Sequence, residues 1–204
     1  MMMSKFCNRF ALTTFAILTS INTANAGVIN FDFNSLAAGA GTPITLNSGG
    51  VDATFSASGD PGGFSITPSF FSFPGNVIYT PGTSGQNNEA LNIKFSSPLT
   101  AFSGNFATNG SGPLNLTAFI GGTGGTTVGS SSATGITISN FPEGIISFSG
   151  ANFDTIVLAD NVDPNFALGS FQATTAATTV PEPASIALIG LGLAAAAFTR
   201  RRKP

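Results

Sequence analysis

The chain of 204 residues has no histidine and no tryptophan, and its single cysteine is Cys7. Without histidine neither a Ser-His-Asp triad nor a Cys-His pair can be assembled, and zinc sites built on His and Cys are excluded too. Cys7 lies ahead of the N-terminal apolar run, so it is not placed like a lipoprotein acylation cysteine. After it there is no thiol, so the remainder cannot use the disulfides available to many exported proteins and must rely on its core. Bases are scarce as well. Across residues 27–179 only Lys94 stands against eight carboxylates: Asp32, Asp52, Asp60, Glu89, Glu143, Asp154, Asp160 and Asp163. One positive and eight negative groups leave −7, against −2 for the whole chain, because the other basic residues lie in the two ends. Such a surface disfavours nucleic acid, which needs clustered Lys and Arg, and is compatible with divalent cations. Paired carboxylates of the glycosidase type remain as the one catalytic option. No spacing singles out such a pair, and the chain is read as non-enzymatic.

The two ends carry transport chemistry. At the N-terminus Lys5 and Arg9 precede an apolar stretch over residues 10–18, and Ala24-Asn25-Ala26 is a small-x-small cleavage site. This is the pattern of a secretory signal over residues 1–26, with Gly27 as the mature start. At the C-terminus three elements follow in order: Val180-Pro181-Glu182-Pro183, an uncharged run over residues 184–198, and the basic cluster Arg200, Arg201, Arg202 and Lys203. The two prolines fix φ and remove amide donors, so the segment around Glu182 is expected to be extended and readable by a processing enzyme. Fifteen helical residues span roughly 22 Å, short of a hydrocarbon core of about 30 Å. Snorkelling of the basic side chains narrows that gap, and the cluster is expected on the cytoplasmic side. A permanent tail anchor and a processed sorting signal are both compatible with these residues.

The full order of this tail resembles the PEP-CTERM sorting signal of Gram-negative bacteria. The resemblance rests on residues 180–183, on the Gly/Ala/Leu-rich run through Gly190 and Gly192, and on the arginines. It implies export across the inner membrane by the secretion machinery, transient membrane insertion through the C-terminal helix, and processing by an exosortase. The destination it implies is the envelope, outer surface or extracellular matrix of an exopolysaccharide-producing, biofilm-forming cell.

Between the ends, residues 27–172 alternate apolar and small polar side chains over short runs. In residues 28–33, Ile29, Phe31 and Phe33 share one side and Val28, Asn30 and Asp32 the other. Residues 90–95, 113–120, 136–139, 145–148, 153–158 and 166–173 repeat the period of two, and no segment here has a helical period. The expected fold is all-β, an antiparallel β-sandwich or jelly roll, with phenylalanine as its large core residue. Gly121-Gly122-Thr123-Gly124-Gly125 lacks the lysine of a phosphate loop and reads as a hairpin turn. Residues 173–179, Ala-Thr-Thr-Ala-Ala-Thr-Thr, read as a linker to the sorting segment 180–204.

Two candidate ligand sites stand out. Asp32 on the first strand and Asp154 and Asp160 near the last ones are hard oxygen donors suited to calcium. In a jelly roll the first and last strands are often neighbours, so Asp32 and Asp154 are expected to approach each other. The arrangement loosely resembles secreted carbohydrate-binding sandwiches, in which a structural calcium joins the terminal strands. Solvated Asx turns are the alternative reading of the same residues. Phe70, Phe71 and Tyr79, among several prolines, are a candidate aromatic patch for polysaccharide, or else a loop folded on the sandwich edge. The overall expectation is a structural or adhesive component of the exopolysaccharide matrix, with a carbohydrate-binding module as the alternative and a glycosidase-like enzyme as a third.

Overall fold

The computed structural model describes residues 26–59, 63–68, 72–80, 89–137, 140–162, 165–177 and 190–193. The chain divides into two compact units, residues 25–178 and the two ends taken together. In the second unit the described residues, 190–193, are helical. Among the described residues no helix is long and apolar enough to cross a membrane. Ala24, Val180, Pro181, Glu182, Pro183, Arg200, Arg201, Arg202 and Lys203 lie outside the described residues; Ala26 and Gly27 are described and exposed.

The first unit is an antiparallel β-sandwich, with eleven strands among the described residues. They are β1 (Val28–Phe31), β2 (Ile44–Ser48), β3 (Val51–Ser58), β4 (Ser65–Thr67), β5 (Val77–Tyr79), β6 (Ala90–Thr108), β7 (Pro113–Ile120), β8 (Thr126–Thr134), β9 (Ile136–Thr137), β10 (Pro142–Asp160) and β11 (Phe166–Thr175). The alternation expected from the sequence is what the strands bury. In β7, Leu114, Leu116 and Ala118 point inward, and Asn115 and Thr117 alternate with them. β11 runs to Thr175, three residues into the segment read as linker, and Ala173 there is core.

Two strands of 19 residues, β6 and β10, pass through both layers. Their halves pair differently. Residues 90–95 of β6 lie between β3 and the end of β10, which in turn pairs with β7 and then β8. Residues 99–108 of β6 lie between β11 and the start of β10. Strands change layer through bends or bulges, and both strands have one here. The β10–β6 register slips on each side of Phe153. Gly150 in the same stretch has φ +145°, a conformation that an L side chain rarely adopts, and Pro98 removes a ladder donor from β6.

The second layer therefore runs β4-β5-β11-β6-β10, with β1 on the same edge of β11 as β5. The first and last strands are neighbours, as expected of a jelly roll. The core between the layers is phenylalanine. Phe171 of β11 stacks on Phe31 (4.7 Å, 11°) and meets Phe55 of β3 edge-on (6.0 Å), with Phe95 at 6.4 Å and Phe102 at 5.2 Å. Among the described residues the core cluster runs from Ile29 to Ala173, all of it within the first unit.

Candidate functional site

The outward face of the second layer carries the site. Pairing of β1, β11, β6 and β10 aligns their outward side chains in rows. Asn30 is opposite Gln172, Gln172 opposite Ser103, and Ser103 opposite Ser147. One step along, Asn105 is opposite Ile145. Asp32 and Ser170 extend that second row, because the β11–β6 register slips between Leu168 and Phe171 and turns Ser170 outward. The inward neighbours Phe31, Gly104, Ile146 and Phe171 are buried, so the period of two leaves polar groups and Ile145 outward in these two rows.

These rows floor a cavity of about 370 Å³ lined by Asn30, Asp32, Ser103, Asn105, Ile145, Ser170 and Gln172 together with Phe31 and Phe171. A second cavity of about 260 Å³ is lined by Ser72, Phe73, Pro74, Asn105, Glu143, Gly144 and Ile145. The two meet at Asn105 and Ile145 and form one groove across four strands. Its walls are held by side chain to backbone bonds. The Asn34 N–H donates to Asp32 Oδ1 (2.9 Å), and the Asn76 N–H donates to Asn34 Oδ1 (2.9 Å). Asn76 Nδ2 donates to the Phe33 and Leu36 carbonyls (3.3 and 3.2 Å), fastening residues 72–80 to the turn after β1. Phe73 lies on Gly169, where a Cβ would come within 2.8 Å of the ring, so glycine there lets this segment close over β11.

At the far end of the groove Glu143 of β10 is only 9% exposed. Its Oε2 accepts the Ser72 hydroxyl. Its Oε1 is buried and has no hydrogen-bond partner among the described residues. Such a group carries a desolvation penalty that a donor entering the groove would offset.

The three carboxylates expected around one calcium ion are dispersed. Among the described residues no three of His, Cys, Asp and Glu are grouped closely enough to hold a metal ion. β1 does neighbour β11, but Asp154 sits on β10. Asp32 lies in the row of Ile145, nine residues from Asp154 along that strand, or about 30 Å of extended chain. Asp32 and Asp160 each accept the amide two residues on, from Asn34 and Val162, as Asx turns do. Asp154 is taken by the hairpin between β7 and β8. Its Oδ2 accepts the Gly121 N–H (2.8 Å), and its Oδ1 accepts the Gly122 N–H (3.1 Å) and the Thr155 hydroxyl (2.8 Å). Gly121 and Gly122 have φ +87° and +82°, which aims both amides at the carboxylate.

Burial alone would raise the Asp154 pKa. The Gly121 and Gly122 amides, the Thr155 hydroxyl and the charge of Lys94 outweigh it and hold the carboxyl below its ordinary 3.8. A carboxyl depressed in the folded state stabilises fully above its unfolded pKa and loses that contribution as pH falls through the folded value. Asp154→Ala is therefore expected to lower stability by about 1–2 kcal/mol at pH 7. In urea titrations the difference from wild type should shrink below pH 3.8, the ordinary carboxyl value.

Of the candidate aromatic patch, Phe70 and Phe71 lie outside the described residues, and Tyr79 is half-buried on β5 opposite Ser65 and Ala167. Nearby, Phe64 is core, edge-on to Phe166 at 5.1 Å, and Phe73 lines the second cavity. Ser103, Asn105, Ser170 and Gln172 were not singled out by sequence reasoning, although Asn30 and Asp32 were placed on one strand face.

Residues 179–203 match the PEP-CTERM protein-sorting motif, which marks the chain as an exported protein processed at the cell envelope. No curated protein matches the chain. Among solved structures it is similar to CsCBM6-3 from Clostridium stercorarium, solved in complex with cellobiose (20% identity, 59% of this chain and 87% of that one, TM-score 0.39). It is also similar to the K1 cleaved adhesin domain of Lys-gingipain from Porphyromonas gingivalis (8%, 74% and 99%, 0.46). A third is the CBM22-1 xylan-binding domain of Paenibacillus barcinonensis Xyn10C (13%, 76% and 97%, 0.43).

Proposed function

We propose that the first unit is a non-catalytic polysaccharide-binding module of an exosortase-processed protein, acting as an adhesive component of the exopolysaccharide matrix at the outer surface of a Gram-negative cell. The observation that carries this reading is the groove floored by Asn30, Gln172 and Ser103 in one row and Asp32, Ser170 and Asn105 in the next. Amides and hydroxyls offer donors and acceptors together, which is what a hydroxyl-rich ligand requires. Ile145, 63% exposed, and Phe73 offer apolar surface to the C–H faces of sugar rings. The groove is open along the rows, so an extended chain can lie in it.

Binding without catalysis is supported by the spacing of the groove's acids. Asp32 follows β1 and Glu143 is on β10, three strand spacings apart or about 14 Å. Glycosidase pairs stand about 5–10 Å apart. Each neutral hydrogen bond contributes about 0.5–1.5 kcal/mol net.

The test is calorimetric titration of residues 27–177 with soluble neutral polysaccharides. The double variant Asn105→Ala/Gln172→Ala should bind at least about tenfold more weakly than wild type with an unchanged melting temperature. Equal binding by the variant would remove the groove from the account.

A further inference from the structure

The Glu143 end of the groove differs chemically from the rest. Elsewhere the floor presents neutral amides and hydroxyls beside Asp32, whose carboxylate accepts the Asn34 amide. Glu143 places a carboxylate among Phe73, Pro74, Ile145 and Asn105, with one oxygen bonded by Ser72 and the other buried without a hydrogen-bond partner among the described residues. A donor must complete this site, and the best donor for a lone carboxylate oxygen is a cation with N–H groups.

A divalent metal is a poor match. Calcium takes six to eight oxygens, whereas no third acidic group accompanies Glu143 and Asp32 in the groove. A protonated primary amine is compact and carries three donors. One donor can reach Glu143, a second the Asn105 side-chain oxygen, and the apolar surface of Phe73 and Pro74 accepts the ring that carries the amine. The domain's charge of −7 across residues 27–179 attracts a polycation over distance and repels an acidic polymer.

We propose that the groove selects polysaccharides bearing free, protonated amines on their sugar rings, and that Glu143 is the residue that fixes the amine. This rests on the reading of the groove as a polysaccharide site, and the test separates the two. Residues 27–177 are titrated with glucosamine hexamer and with the same hexamer fully N-acetylated, in low and moderate salt. Wild type is expected to bind the amine form about tenfold more tightly, with the preference shrinking as salt rises. Glu143→Gln keeps an acceptor for Ser72 and should abolish the preference, so that the variant binds the two hexamers equally. Asp52→Asn, on β3 in the other layer, removes the same charge and should leave the preference intact.

Equal binding of the two hexamers, with both weakened by Asn105→Ala/Gln172→Ala, would overturn the amine site and leave the polysaccharide groove standing. No binding of either hexamer or of any neutral polysaccharide would overturn both. A preference reduced equally by Glu143→Gln and Asp52→Asn would show general charge attraction and likewise overturn the proposal. If Glu143→Gln does not fold, Ile145→Lys puts a cation beside the carboxylate from an exposed position and should erase the same preference; its persistence would count against Glu143.

Discussion

Phe171→Ala is expected to destabilise the domain by about 3–5 kcal/mol, a large part of the roughly 5–15 kcal/mol available to a domain of this kind. Phe171 is 2% exposed. It is stacked on Phe31 of β1, meets Phe55 of β3 and Phe95 of β6 edge-on, and lies 5.2 Å from Phe102. It therefore joins the two layers and ties the first strand to the last. Truncation removes the area burial of one ring and the aromatic contacts of its neighbours. The cavity left behind cannot collapse easily, because Phe31, Phe55 and Phe95 are each held by their own strand ladders. No cysteine follows Cys7, so no disulfide limits the unfolded chain and softens the loss. For about 150 residues each kcal/mol shifts the melting temperature by about 2–4 °C, so a fall of roughly 6–20 °C is expected in a thermal melt. A fall under about 2 °C would mean that the phenylalanine cluster is not the main support of the sandwich.

Replacing Pro181, Glu182 and Pro183 together by alanine is expected to leave essentially all of the protein as the unprocessed, membrane-associated form. The match at residues 179–203 includes all three positions. Proline fixes φ and withholds its amide, whereas alanine is the best helix former, so the triple replacement is expected to remove the extended, donor-poor character that the sequence gives the recognition site. Fractionation and immunoblotting of the producing cell read the outcome directly, as a larger species in the inner membrane and loss of the shorter species outside it. The three positions belong to the second unit and the groove residues to the first, so residues 27–177, which lack the tail, serve for the binding measurements in either background. Normal processing of the variant would separate export from the Pro-Glu-Pro segment.

Much of the fold was legible because period-two alternation is a direct imprint of a half-buried sheet. β7 was read with its observed limits, and Leu114, Leu116 and Ala118 are the residues it buries. β2 and β3 were missed although Gly49-Gly50 between them, both at positive φ, is a hairpin signal flanked by alternating residues. β8 was illegible for a different reason. Its Ser- and Thr-rich sequence has no apolar face, and it is a strand because β7 supplies a ladder for it. The merging of two predicted strands into β10 depends on a slip at Phe153 that no local pattern announces.

The site was less legible than the fold. Its residues come from four strands far apart in sequence, and only the register brings Asn30, Gln172 and Ser103 into a row. Serine and asparagine are ordinary on any outward strand face, so none of these residues is conspicuous alone. Some conspicuous acids and aromatics among the described residues have structural work. Asp154 holds a hairpin and Phe64 fills the core. Asp32 is the exception: it was chosen for calcium and lies in the groove.

The proposed path of the polysaccharide is across the outward face of β1, β11, β6 and β10. It can be mapped by amide chemical shifts of isotope-labelled residues 27–177 during titration with a soluble polysaccharide. Shifts are expected at Asn30, Ser103, Asn105, Ser170 and Gln172, with β2, β3 and β8 unmoved. Shifts concentrated on β3 or β8, with the groove residues silent, would overturn this path.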